Sequence, residues 1–387
     1  MLPRPAGGGV ARFARPRRPR SRDLRPGRRP ALPAPAERDG SSHPARRPQQ
    51  APPGPRRRPA RHDHAQLAHD HRAARAQRRR LTSPVATVVR HYFASCGANH
   101  ADGVLAHLEG TAVPGVEEHR DGAYRRTLRL AGGPAVVAAR PVPGGYDVAF
   151  HLTAVDDADE AVSRGRHLLD LDVDGDEIDA VLACDPVLAP LVRAHPGRRV
   201  PRTVDGAELA LRAVLGQQVS TAAARTHAAR LVVAYGHPVT DPGGGLTHLF
   251  PTAAAIAGAD VAAMALPRRR RATLVAVATA LAAGTIDLSP GAPTQDARAA
   301  LLAIDCIGPW TAELVAMRAL GDPDAFLPTD LGVKVAANRL GLPATPAALV
   351  ARAERWRPWR AYAVQHLWSV LDHPIATLAA ALRAAGA

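Results

Sequence analysis

From about residue 120 to 155 the hydrophobic positions recur at every second residue. Tyr146, Val148, Phe150 and Leu152 alternate with Asp147, Ala149 and His151. Gly132-Gly133-Pro134 and Pro143-Gly144-Gly145 punctuate the short runs. Such alternation predicts an antiparallel meander with one wet face. Upstream of it, 104–108 reads as part of a short helix. After about 156 the period becomes helical, and helices are expected near 207–215, 222–235, 272–282, 297–304, 311–320, 331–339 and 360–371, with Gly or Pro between them. No repeat of fixed period is evident. The pattern predicts an α+β chain that is mainly α: a small antiparallel-sheet domain over 86–172, followed by a helical body over 173–387.

Composition adds a third segment. Residues 1–80 hold 22 Arg, 5 acids, 14 Pro and 6 Gly, a net charge of +17 with almost no large apolar side chains. Such a stretch cannot bury enough surface to fold, so 1–85 is expected to be a disordered arm. It is a basic strip that follows phosphates, a solvated tail, or the product of a start site placed too far upstream in GC-rich DNA. The remaining chain carries 28 basic and 30 acidic residues, so the basic excess lies entirely in the arm.

Three cysteines in no close cluster, Cys96, Cys184 and Cys306, exclude a disulfide scaffold, a thiolate zinc site and a four-cysteine iron–sulfur cluster. The histidines of His62-Asp63-His64 and His69-Asp70-His71 read as a solvated segment and not as a metal site. No apolar run has the length of a membrane span, and no continuous apolar segment marks a secretory signal. A cytoplasmic, monomeric protein is expected.

The chemistry concentrates between Leu301 and Lys334. A helix is followed by a tight turn at Cys306-Ile307-Gly308-Pro309 and a second helix from Trp310. Gly308 permits close backbone approach, and Pro309 suits an early helical position. Free amides at such a turn favour an anion, and a phosphate diester bound through them carries no sequence information. On its own the turn is an ordinary helical corner, and Asp330, in Phe326-Leu327-Pro328-Thr329-Asp330, is on its own an N-cap.

Together, and with Val214-Leu215-Gly216-Gln217-Gln218-Val219-Ser220 and the segment from Glu354 to Ala363, they resemble the helix-hairpin-helix DNA glycosylase superfamily, in its DNA-3-methyladenine glycosylase II branch. The likeness covers roughly residues 100–373. It implies a monofunctional glycosylase that hydrolyses the N-glycosidic bond of alkylated bases in double-stranded DNA and leaves an abasic site. In that reading Asp330 is catalytic, and Trp310, Trp368 and Leu314 line the pocket for the extruded base. DNA is met by Gln217, Gln218, Cys306, Gly308 and Thr311, with Gln218 entering the duplex. No cofactor is expected, a monovalent cation at the hairpin being the one alternative. The alternatives in function are a glycosylase for another lesion and a DNA-binding protein without catalysis.

The chain departs from the family pattern at the hairpin, where the usual Pro-Gly-Ile-Gly reads Asp305-Cys306-Ile307-Gly308. A positive φ at Cys306 would cost about 1 kcal/mol. Leu314 occupies a position often aromatic in relatives. Bifunctional relatives carry a nucleophilic lysine two residues after the second hairpin glycine; here that position is Trp310, and the only lysine is Lys334. Residues 1–95 hold no cysteine, which is not the composition of the zinc-thiolate alkyl-transfer module found in some relatives.

Overall fold

The computed structural model describes residues 87–260 and 264–371. The basic arm and the histidines at 62–71 lie outside them. Strand β1 (Thr87–Ala94) leads to α1 (Ala101–Gly110), and β2 (Glu117–Arg120), β3 (Ala123–Leu130), β4 (Gly133–Val142) and β5 (Gly145–Leu152) complete a five-stranded antiparallel sheet in the order β1-β5-β4-β3-β2. The meander is the predicted one. Strand β1 is an addition: its TVVRHYFA sequence leaves only Phe93 buried, so an alternating core signal is missing. Gly145 secures its pairing with β5, since a Cβ there would lie 2.0 Å from the Phe93 carbonyl.

The alternation in β5 works as expected, with Tyr146, Val148, Phe150 and Leu152 fully buried. These four pack with α1 and with α2 (Ala158–Leu168) in one core. The second face is not uniformly wet. Along β3, Arg125 and Thr127 are covered by the 241–250 segment: Arg125 pairs with Asp241 at 2.7 Å and the Thr127 hydroxyl donates to the His248 carbonyl at 2.9 Å.

Helices α3 (Gly175–Leu182), α4 (Ala189–Ala194), α5 (Gly206–Gly216) and α6 (Thr221–Tyr235) follow, then the short pair β6 (His237–Pro238) and β7 (His248–Leu249). The rest is α7 (Ala253–Ala257), α8 (Arg268–Ala282), α9 (Thr294–Leu302), α10 (Pro309–Val315), a π turn (Ala316–Leu320), α11 (Leu331–Arg339), α12 (Pro346–Ala353) and α13 (Arg360–Trp368). Their starts follow capping chemistry: Asp205, Ser220, Thr345 and Asp330 each accept a bond from a first-turn amide.

The helical body has two cores. One gathers α5 to α10 around Leu211, Val214, Leu274 and Val277; the other gathers α3, α4 and α11 to α13 around Trp356, Tyr362 and Leu327. Leu314 packs against both. Trp359 sits in the second core, edge-on to Tyr362 with ring centroids 5.7 Å apart.

A buried ion network joins the sheet to α5. Arg126 pairs with Glu208 at 2.7 Å and with Glu117 at 3.3 Å, while Arg212 reaches Glu117 and Glu208 at 2.8 Å each. Tyr124 donates to Glu117 at 2.6 Å. Burial opposes the charge on Glu117, yet the two arginines and the tyrosine outweigh it and hold its carboxyl below the usual range. Removing one member of such a buried set typically costs about 3–5 kcal/mol, because its partner is left charged and alone.

Candidate active site

The two helical cores and α1 enclose a cavity of about 610 Å³. Trp310 and Leu314 of α10, Asp330 and Leu331 at the start of α11, and Gln365 and Trp368 of α13 form one part of its wall. Gly216 and Val219 border it from the α5–α6 loop, and His107, His195 and Arg198 line it on the side of α1 and α4.

Asp330 is fixed through both oxygens. Its Oδ1 accepts the Val333 amide at 2.8 Å and the Trp368 indole at 2.9 Å; its Oδ2 accepts the Trp310 indole at 2.8 Å. A carboxylate offers about four lone-pair sites, so one remains open on Oδ2. All three donors are neutral, so the negative charge is oriented without being cancelled. The N-cap role leaves the carboxylate available at the cavity: Oδ1 begins the helix and also takes the Trp368 indole, while Oδ2 takes the Trp310 indole alone.

Helix α10 presents Trp310 and Leu314 along the cavity, and the π turn that follows it presents Arg318. Arg318 donates through Nε to the Pro201 carbonyl at 2.6 Å. Burial, reinforced by the charge of Arg212, pushes its guanidinium down to about 10. Lys334 is half-buried on α11 and is not among the residues lining the cavity.

The hairpin between α9 and α10 takes the expected form. Cys306 has φ +68°, the left-handed region, and its thiol is exposed. The strain anticipated for a non-glycine at this turn is therefore present. Gly308 is open, since a Cβ there would meet nothing within 4 Å. The Ile307 amide is turned inward to the Ile304 carbonyl at 3.1 Å. A monovalent cation at this turn would need carbonyl oxygens; those of Ile304, Asp305 and Cys306 accept bonds from Ile307, Thr273 and Gln217, and each keeps a second lone pair. Among the described residues no group of three or more His, Cys, Asp or Glu could hold a metal.

The loop after α5 approaches this hairpin. The Gln217 amide donates to the Cys306 carbonyl and to the Thr311 hydroxyl, both at 3.1 Å. Thr311 is 3% exposed, and its hydroxyl accepts from Gln217, so its side chain braces the loop from within. Gln218 is exposed with φ +55° and stands as the tip of the loop. A run of four arginines, Arg268 to Arg271, begins α8 beside this tip. It went unread in the sequence because a near-neutral total hid it, although the run itself was visible.

Two family models match the chain: the AlkA N-terminal domain over residues 98–205 and the HhH-GPD superfamily base excision DNA repair protein over 211–361. The chain is 52% identical over 274 residues to the probable bifunctional transcriptional activator/DNA repair enzyme AlkA of Mycobacterium tuberculosis, covering 71% of this chain and 55% of that protein. It thus spans about half the length of that relative. It is 33% identical over 270 residues to DNA-3-methyladenine glycosylase 2 of Escherichia coli, covering 68% of this chain and 92% of the relative. The 3-methyladenine DNA-glycosylase of Archaeoglobus fulgidus shares the fold, with a TM-score of 0.62 at 24% identity over 72% of this chain and 97% of that one. With these matches spanning both the sheet and the hairpin, the chain belongs to the HhH-GPD superfamily of base excision DNA repair proteins, in its AlkA-type, 3-methyladenine glycosylase II branch.

Proposed function

We propose that this protein hydrolyses the N-glycosidic bond of alkylated bases in double-stranded DNA and releases the base without cutting the strand. The observation that carries this reading is the carboxylate of Asp330, held by two indoles and a helix amide at the wall of a cavity large enough for a purine. Cleavage of the bond builds positive charge on C1′ of the sugar, and a fixed carboxylate with an open lone pair stabilises that charge or orients a water toward it. A phosphate-binding protein would gain nothing from the same group.

A base within a duplex is out of reach, so the nucleotide must rotate out into the cavity. Trp310 and Trp368 then offer aromatic faces to an electron-poor alkylated purine, with Leu314 as the aliphatic part of the wall. Gln218 fills the space left in the stack, and the backbone at Cys306 and Gly308 takes a phosphate beside it. Gln217 acts through these, joining loop to hairpin. Lys334 is away from the cavity wall and Trp310 cannot form an imine, which supports hydrolysis over a lyase step.

The same reading divides the chain into an arm over 1–85, a sheet domain over 86–172 and a glycosylase body over 173–387. Leu171 packs in the sheet core and Ile178 in the second helical core, which supports the inner boundary. The enzyme would act as a monomer on cytoplasmic DNA. Among the described residues no helix is long and apolar enough to cross a membrane. Incubation with a methylated duplex and detection of the free base tests the proposal. Absence of released base, with binding of an abasic-analogue duplex intact, would reduce the protein to a DNA-binding module.

A further inference from the structure

Gly332 lies in the first turn of α11, two residues after Asp330, and lines the cavity together with Leu331 and Trp368. Its backbone is helical and its φ is outside the left-handed region, so the conformation does not call for glycine. In a helix glycine is ordinarily less stable than alanine. Space accounts for it instead.

A Cβ on Gly332 would stand 3.0 Å from Oδ1 of Asp330, 3.0 Å from Cδ1 of Trp368 and 3.1 Å from Cδ1 of Leu371. Unstrained contacts between carbon atoms lie at about 3.5–4.0 Å. Cδ1 is the ring atom next to Nε1, and Nε1 donates to that same Oδ1 at 2.9 Å. A methyl group here would therefore press on the acceptor of this bond and on the atom beside its donor. The indole edge reaches the carboxylate across the bare Cα of Gly332.

The bond decides which oxygen of Asp330 is left open. Each carboxylate oxygen has two lone pairs. Oδ1 uses both, on the Val333 amide and the Trp368 indole, whereas Oδ2 uses one on the Trp310 indole. Without the Trp368 bond either oxygen would have a free lone pair, and the carboxylate would present two faces in place of one. We infer that Gly332 is a positioning residue for base release: its missing Cβ lets Trp368 close on Oδ1, which leaves Oδ2 to meet the sugar or its attacking water. This deepens the glycosylase reading and rests on it. The same contact fixes the indole that walls the base site, so charge and wall are set together.

Gly332→Ala adds one methyl group and tests the inference in the full chain. Single-turnover base release from a methylated duplex should fall about tenfold, the scale of one lost bond to a charged group. Affinity for an abasic-analogue duplex should stay at the wild-type level, since that ligand has no base to stack. In a proton–nitrogen correlation spectrum the Trp368 indole signal, assigned by its absence in Trp368→Phe, should move upfield as its bond to Asp330 lengthens. The indole of Trp356, buried in the second helical core and bonded to Asp185 at 2.8 Å, should keep its position. In a Trp368→Phe background the added methyl should cost about twofold or less, because the donor is already gone. An unmoved Trp368 signal would overturn the proposal, and so would rate losses that simply multiply in the double variant. Movement of the Trp356 signal as well would assign Gly332 to the core and not to the carboxylate, which also overturns it. Absence of base release by wild type would sink the glycosylase reading, whereas the Trp368 signal decides the contact without turnover.

Discussion

The Trp310 indole donates to Oδ2 of Asp330 at 2.8 Å across a gap of twenty residues. The bond joins the helix that follows the hairpin to the helix that Asp330 starts, so the hairpin and the carboxylate are directly connected. Trp310→Phe would keep the ring and remove only the donor. We expect single-turnover base release to fall about tenfold, as for one lost bond to a charged group, with abasic-analogue affinity nearly unchanged. Loss of affinity at a normal rate would mean that Trp310 serves base stacking and not the carboxylate.

Asp330→Asn retains one acceptor oxygen and places an amide N–H group against an indole N–H. Base release should drop by about a thousandfold or more, the scale of a preorganised charge in a dry site. Binding of an abasic analogue should survive. Turnover near the wild-type level would remove Asp330 from the reaction.

Strand cleavage should be absent. Borohydride added during turnover reduces an enzyme–DNA imine to a stable adduct, and with Trp310 at the hairpin position and Lys334 off the cavity wall none should form. A robust covalent band, lost in Lys334→Arg, would assign a lyase step to this lysine.

At the hairpin, Cys306→Gly should relieve the left-handed strain and raise stability by about 1 kcal/mol. It also removes the sulfur that Arg269 contacts. Affinity for an abasic-analogue duplex should rise by a few-fold at most, because an existing contact is improved and none is created. Thermal or urea unfolding, together with binding at fixed salt, measures both. A less stable variant would show that the Arg269 contact outweighs the strain.

His366 is wholly buried, and neither ring nitrogen has a hydrogen-bond partner among the described residues. Burial, with the charges of Arg198, His195 and His100 nearby, pushes its imidazole down from 6.5 to about 3. The unfolded chain takes up a proton as the pH falls through about 6.5, while the folded chain does not until about 3. Its contribution to stability is therefore complete above pH 6.5 and is lost progressively toward pH 3, at about 1.4 kcal/mol per unit. His366→Leu should flatten the fall in stability between pH 6 and pH 4, as followed by urea titration at several pH values. Parallel curves for the two proteins would show that His366 does not titrate in this way.

Much of the architecture was legible because it is written locally. The β5 alternation, the Gly308-Pro309 corner and the cap at Asp330 are each set by a few adjacent residues. Strand β1 was missed because an edge strand exposes most of its side chains. Helices α3, α4 and α12 are only 8, 6 and 8 residues long, too short for a clear helical period. At the site, the residue types were readable and their contacts were not. Nothing in the sequence says that Trp310 and Trp368 share one carboxylate, or that Thr311 points inward to Gln217, since these depend on where side-chain tips meet. The α8 arginines were hidden by averaging, as charge summed over a domain erases a patch of four.

The charged seam between the sheet and α5 limits how this protein could be taken apart. Glu117 and Arg126 come from the sheet, Glu208 and Arg212 from the body, and each side alone would expose half of a balanced set. A fragment starting at 173 would carry Glu208 and Arg212 with two of their partners gone, and the cavity wall contributed by α1 would go with them. The sheet is thus less an accessory than a retaining wall: trimming the chain to its hairpin and the Asp330 helix would remove the counter-charges on which their scaffold rests.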